Sequence, residues 1–336
     1  MVNTIWSGFD YLTYYLSTTV SLFLFVSRGD ILIAKTDPPL LSVPLSLLAR
    51  IKGAKFVNWL QDLYPEVALK LGFGTESGIM PKFLMHLRNR SLWRAHLNIA
   101  IGNRMAEYLK SLRVPSDRIQ VVHNFADDLM ISRSNEHSLE LREQWGINES
   151  DFVVGYSGNL GRAHDLTTIL DAAEMLSDIE EIKFVFIGGG FGHKQLLREI
   201  KARKLLNVSV KPYQARSRLN ESLALPNLHW ASLLPELEGF IVPSKIYGIA
   251  AAGRPLLMVG DPDGEVGRML TKTPFGKCII TGGAKQAKDF ILQAKQNSER
   301  TELMGRNARR FIDDFASRHC AVSQWKQIIS QLSAKS

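Results

Sequence analysis

The run from Pro235 to Pro255, PELEGFIVPSKIYGIAAAGRP, carries the densest chemistry in the chain. Two carboxylates, Glu236 and Glu238, precede Val242-Pro243-Ser244-Lys245, and the residues from Ile246 to Ala252 read as a helix. Ser244 is suited to cap that helix, and Lys245 adds a full positive charge beside the positive end of the helix dipole. Together they describe a seat for an anion. Ala250 to Gly253 keep the surface small, so that a backbone or a flat ligand can lie against it. A plain capped helix with a surface lysine would explain the serine, but not the acids, the small-residue run and Arg254 together.

Two glycine-rich turns follow strand-like segments. GYSGNLGRAHDL places Gly155, Gly158 and Gly161 between a strand and a helix, where backbone N–H groups can approach phosphate oxygens. Its spacing is neither the dinucleotide fingerprint nor a P-loop, so it is a weak signal alone. Asn159, Arg162 and His164 are placed to give polar contacts to a diphosphate; the alternative is a solvated turn. IGGGFGHK, residues 187 to 194, is the second turn, with Lys194 in the first turn of the next helix. It reads equally as structure or as a binding loop. In the first half, Asp62 follows the strand FVNWLQ, where a carboxylate can accept a hydroxyl proton, with Glu66 to orient it. Asp37, His123 and Asn124 also end strands. The competing reading of Asp62 is a helix cap.

These residues need an alternating scaffold, and the text supplies one. Strands are expected at 30–34, 55–60, 97–102 and 119–124, then at 152–158, 183–190, 208–213, 228–233 and 255–261, with helices between. Continuous apolar runs such as ILIA and FVNWL fit parallel strands covered on both faces. The expected class is α/β with two doubly wound domains, the first over residues 1–140, the second over 141–315, and a final helix over 316–336. At 336 residues two cores are the prior expectation. Two cysteines, Cys278 and Cys320, allow neither a disulfide framework nor a four-thiolate metal site, and point to a reducing compartment. A net charge of +8 suggests an anionic partner without naming it. No nucleic-acid-binding module is present in the text, so no nucleic-acid partner is expected.

Tyr11 to Val26 is the most apolar early stretch. It is shorter than the roughly 20 residues that cross a bilayer and carries hydroxyls, so a buried helix is expected. Pro81 to Leu97 mixes Phe83, Leu84, Leu87 and Trp93 with Lys82, Arg88, Arg90 and Arg94. It reads equally as a helix resting on anionic lipid headgroups and as an ordinary surface helix.

The segments GYSGNLGRAHDLTTILDAA, FVFIGGG, PELEGFIVPSKIYGIAAAGRP and GDPDGEVGRML resemble the donor half of family 4 glycosyltransferases. TDPPLL, VNWLQDLYPEVA and VVHNFADD resemble the acceptor half, so the likeness covers nearly the whole chain. The nearest branch builds bacterial surface polysaccharides and O-antigens. The resemblance implies a GT-B fold, two Rossmann-like domains facing a cleft. It implies retaining transfer of a hexosyl or N-acetylhexosaminyl group from a nucleotide sugar, a UDP-sugar for preference, to a lipid-diphosphate-linked or glycan acceptor. No metal and no cofactor beyond that co-substrate are implied, and the place is the cytoplasm, with peripheral contact at an anionic membrane face. The site residues carried over are Asp62 and Glu238 as catalytic, and Gly158, Asn159, Arg162, His164, Gly189, Tyr213, Glu236, Ser244 and Lys245 as donor-binding.

Departures from the family pattern matter. The usual Arg and Lys of the first phosphate loop fall on Asn159 and His164, leaving Arg162 as the loop's cation. In the usual Glu-x7-Glu pair the second position is Gly248, while Glu236 or Glu238 serves as the first. The opening NTIWSGFDYLTYYLSTT resembles a helix well inside the usual first domain, so that domain is expected to be incomplete, lacking its first strands, and activity to be low. The competing reading is a non-catalytic nucleotide-sugar-binding remnant or scaffold.

Overall fold

A computed structural model of the chain describes residues 4–75, 77–127, 131 and 136–334. The chain forms two compact units, one comprising Met1–His123, Gly239–Val242 and Val322–Ser336, the other Asn124–Glu238 and Pro243–Ala321.

The first unit is built on four parallel strands, β1 (Ile31–Lys35), β2 (Lys55–Leu60), β3 (Leu97–Ala100) and β4 (Ile119–Val121), lying in that order. Phe56, Val57, Asn58 and Leu60 of β2 are all buried, as a parallel strand covered on both faces requires. One face packs Leu32, Ala34 and Phe56 against Leu45 and Leu48 of the helix Ser42–Lys52. The other packs Val57 and Ile99 against Ile328 and Trp325 of the helix Arg318–Ala334. Trp325 meets Trp59 edge to face with ring centroids 4.9 Å apart, and Lys55 donates to the Leu332 carbonyl.

Two expectations fail in this unit. The apolar N-terminal stretch is mostly uncovered: over residues 10–25 of the helix Thr4–Phe25, Tyr15 and Leu22 pack against the core while Leu16, Val20, Leu24 and Phe25 are exposed, and Val26 just beyond the helix is buried. A lone surface helix has one neighbour, so only one stripe can be covered. Among the described residues no helix is long and apolar enough to cross a membrane. In the helix Ile79–Arg94, Lys82, Phe83, Arg90 and Trp93 face outward, but Arg88 does not. Arg88 turns inward to an ion pair with Glu66, which also accepts from the Tyr108 hydroxyl at 2.6 Å. Glu66 therefore neutralises a buried guanidinium instead of orienting Asp62.

The second unit holds six parallel strands, β5 (Phe152–Asn159), β6 (Ile182–Gly189), β7 (Val208–Lys211), β8 (Leu228–Ser232), β9 (Leu256–Val259) and β10 (Gly276–Ile279). Their order is β10-β9-β8-β5-β6-β7. The chain moves outward from β5 to β7, then returns to lay β8 on the other side of β5. A ligand crevice opens beyond the carboxyl ends of strands where the order reverses in this way. Val154, Tyr156, Phe184 and Phe186 are packed on one face with Ile169 and Phe290 of two covering helices, Thr167–Glu174 and Ala284–Gln296. Val153, Val185 and Ile187 meet Leu141 and Leu225 on the other.

The boundary between the units lies at His123, ahead of the expected 140. The cause is local: the Ala126 N–H donates to the Ala316 carbonyl at 3.3 Å, and Ala126 bridges Ser317, which ties this segment to the second unit. Similarly, the final helix joins the first unit at Val322 rather than at 316.

Trp325→Ala is expected to destabilise the first unit by about 2–3 kcal/mol, less than the roughly 3–5 kcal/mol of a fully buried aromatic ring because Trp325 is only partly buried. Urea denaturation followed by tryptophan fluorescence checks this; a midpoint unchanged from the parent chain would show that the helix does not seal the sheet.

Candidate functional site

The site is assembled at the carboxyl ends of β5, β6 and β8. Gly158 and Gly188 face each other across the β5–β6 ladder, followed by Asn159 opposite Gly189. Gly158 has φ +125° and Gly188 φ +129°, conformations that L side chains rarely adopt. A Cβ at Gly188 would collide with the Gly158 carbonyl and lie 3.1 Å from the Tyr213 ring. The two turns are also tied together by backbone, Leu160 N–H to Gly189 O at 2.7 Å and Gly192 N–H to Leu160 O at 2.9 Å. Tyr213 lays its ring beside Gly189 and stays 59% exposed, an aromatic face open to a ligand. Arg162 stacks its guanidinium on Phe191, 3.4 Å from the ring centroid. Asn159, Arg162 and Tyr213 are exposed, and Gly158 and Gly189 half-buried.

Lys245 opens the helix Lys245–Ala251 and turns into this crevice. Its ammonium donates to the Tyr156 hydroxyl and lies 3.2 Å from His164 Nε2. It also sits 3.9 Å above the Tyr156 ring centroid, a cation–π contact. The Tyr156 hydroxyl in turn donates to the Asn159 carbonyl at 2.7 Å. His164 Nδ1 lies 2.7 Å from the Ser232 carbonyl. A carbonyl only accepts, so Nδ1 carries the proton and Nε2 presents a lone pair to Lys245. No carboxylate pairs with Lys245 among the described residues.

The electrostatics follow from this isolation. Burial lowers the Lys245 pKa to about 7. Burial, then the neighbouring Lys245, lowers His164 to about 4, although the bond to Ser232 opposes the shift. Burial raises the Tyr156 phenol well above its ordinary range. Near neutral pH the imidazole and phenol are both neutral acceptors around an ammonium that is itself close to losing its proton.

The remaining predicted residues are distributed differently. Ser244 is exposed at the N-cap position but makes no side-chain capping bond, so the expected cap is absent. Glu238 accepts from the Glu265 N–H at 3.1 Å and thereby caps the helix Glu265–Lys272. Glu236 is exposed on the short turn Pro235–Leu237. Gly248 is not imposed by packing, since a Cβ there would meet only Leu223 at an ordinary 3.5 Å. In the first unit, Asp62 follows β2, and its N–H donates to Thr36 Oγ1 at 3.3 Å. Burial, then Asp37, raises the Asp62 pKa, against a smaller opposing effect of Lys35. Sequence reasoning missed Tyr156 and Phe191. Tyr156 lies inside a strand and reads as core, yet its position two residues before Gly158 was the available signal.

Comparison with known proteins comes to rest on this arrangement. The profile of the family described as glycosyl transferases group 1 matches residues 138–311. The probable glycosyltransferase WbjE of Pseudomonas aeruginosa is 27% identical over 256 residues, covering 74% of this chain and 62% of that protein. The chain thus spans less than two thirds of that relative's length. The putative colanic acid biosynthesis glycosyl transferase WcaI of Escherichia coli is 23% identical over 292 residues, covering 82% of this chain and 72% of that protein. The crystal structure of Anabaena Alr3699/HepE superposes with a TM-score of 0.77 at 16% identity, over 95% of this chain and 82% of that one. WaaG, a glycosyltransferase involved in lipopolysaccharide biosynthesis, gives 0.62 at 12% identity, over 82% of this chain and 78% of that one. These structures establish the fold as GT-B, with two Rossmann-like domains.

Lys245→Met is expected to stabilise the folded chain at pH 6, by a few kcal/mol at most. The folded-state pKa near 7 is below the unfolded value of 10.5, so the cost of burying the charge is fully present below about pH 7 and fades toward pH 10. Denaturant midpoints of parent and variant across pH 6–10 test this; a gap that does not narrow with rising pH would contradict it.

Proposed function

The chain belongs to the glycosyl transferases group 1 family, and we propose that it transfers a sugar from a UDP-sugar, with retention, to a lipid-diphosphate-linked or glycan acceptor of a cell-surface polysaccharide. The observation that carries this reading is Lys245, a largely buried ammonium with no acidic partner among the described residues, at the carboxyl ends of parallel strands. Such a group is stabilised by an anion and offers little to a neutral ligand. HepE has been solved with UDP and with UDP-glucose, which supports a nucleotide sugar as the co-substrate.

In this reading the bond from the anomeric carbon to the diphosphate oxygen breaks as a bond to the acceptor oxygen forms on the same face. The departing diphosphate gathers negative charge, and preorganised donors are the principal means of lowering that barrier. Lys245 and Arg162 take that charge together with the backbone around Gly158, in place of a bound metal ion. Asn159 and the exposed Ser244 hydroxyl flank the same charge, and His164 supports it through Lys245. Tyr213 offers its ring beside Gly189 to the base. Glu238 and Glu236 lie on the donor side, where Glu238 is held by the Glu265 N–H and faces the sugar. Asp62 takes the acceptor hydroxyl proton, a role that its raised pKa favours.

In this reading the transfer takes place at the cytoplasmic face of the membrane. There the outward stripe of Lys82, Phe83, Arg90 and Trp93 meets anionic headgroups. WcaI is named for colanic acid biosynthesis and WaaG for lipopolysaccharide biosynthesis, which supports a cell-surface polysaccharide as the product class.

Calorimetry with UDP tests the central residue. Lys245→Ala is expected to weaken binding by about 10- to 100-fold, the loss of one charge-assisted bond; full affinity in this variant would remove Lys245 from the donor site. Asp62→Asn is expected to keep UDP binding and lower transfer by about 100-fold, read with radiolabelled UDP-sugars. Chelation by EDTA is expected to leave transfer unchanged, and loss of turnover restored by a divalent ion would overturn the metal-free mechanism.

A further inference from the structure

Lys245 is held by groups from both sides of the strand-order reversal. Tyr156 is on β5 and contributes both its hydroxyl and its ring face. His164 follows β5 but is anchored through Nδ1 to the carbonyl of Ser232, the last residue of β8. The Tyr156 ring is itself fixed, 4.8 Å from the Trp230 ring and 6.1 Å from Phe186. Its hydroxyl hydrogen is committed to the Asn159 carbonyl, so its lone pair is what remains for Lys245. Two of the three ammonium protons are thus directed to fixed neutral acceptors, and the third is left for a ligand.

We propose that Tyr156 and His164 are positioning residues that hold Lys245 aimed at the diphosphate of the donor, and that the Tyr156 hydroxyl sets the pH range over which Lys245 binds it. The inference rests on the donor reading above and adds a pair of residues to it. His164, which the sequence placed among the diphosphate contacts, acts here through Lys245, since both of its nitrogens are engaged within the protein. The titratable groups that face Lys245 are Tyr156 from β5 and His164 from the loop after it. Tyr213, beyond β7, acts on Tyr156. No acid is among them. Each bond accepted from the ammonium favours its charged form and opposes the effect of burial. Removing one therefore lowers the pH at which the charge is lost.

The test uses UDP as probe, with calorimetric affinity measured from pH 5.5 to pH 9 for the parent chain and four variants. Tyr156→Phe keeps the ring and removes the hydroxyl. It is expected to weaken UDP about 5- to 10-fold at pH 7 and to move the alkaline loss of affinity to lower pH by about half a unit or more. His164→Leu is expected to do the same. His164→Gln, whose amide oxygen can accept from Lys245, is expected to recover affinity to within about threefold. A purely structural role would not shift the alkaline limb. Should His164→Leu fail to fold, Tyr156→Phe and His164→Gln still decide the matter. If Lys245→Ala weakens UDP while Tyr156→Phe and His164→Leu match the parent in affinity and in pH profile, the positioning role is overturned and the donor reading stands. If Lys245→Ala itself binds like the parent, or the parent binds no UDP, the donor reading fails and the positioning role fails with it.

Discussion

A largely buried ammonium with no acidic partner among the described residues governs the crevice of the second unit. Removing an ammonium from water costs several kcal/mol unless other groups replace its hydration. Here the replacement is made from neutral dipoles: a phenol oxygen, an imidazole lone pair and a ring face. They hold the charge without cancelling it, and a field that is not cancelled remains available to a ligand. A carboxylate in the same place would make a more stable protein and a weaker anion site.

The sheet order makes this arrangement possible. His164 and the Ser232 carbonyl are brought together because β8 lies beside β5, although 68 residues separate them in the chain. Strands laid down in simple sequence order would leave β5 at the sheet edge and put β8 beyond β7 instead. The first unit uses the same edge of its own sheet for a different purpose. Thr36 Oγ1 gathers the N–H groups of Gln61 and Asp62 after β2, which leaves a half-buried carboxyl facing Asp37 and raises its proton affinity. Burial thus makes the ammonium of one unit easier to deprotonate and the carboxylate of the other a stronger base.

Much of this was legible in the sequence, for identifiable reasons. β2 was readable from FVNWL because a strand covered on both faces leaves a continuous apolar run. The glycine turns were readable because the close approach of Gly188 to Gly158 excludes any side chain. Lys245 was readable from its place between a proline and a small-residue helix. The helix Thr4–Phe25 misled, since apolar composition says what could be buried but not whether anything lies over it. β10 escaped notice, because GKCI is a four-residue edge strand carrying a charge. Arg88 and Glu66 were separately visible but not as a pair, since their contact joins residues 22 apart. Tyr156 was hidden by its own burial: hydrophobicity marks it as core, and only the geometry shows that its oxygen is directed out of that core.

The backbone links between the two glycine turns have a further meaning for exchange among related proteins. Leu160 is bonded on one side to Gly189 and on the other to Gly192, so the turns share a spine and behave as a single part. A chimera importing either one alone would join halves shaped for different companions. Recombination that respects this protein's architecture must therefore move residues 158 through 192 as one cassette, with the intervening helix and strand included.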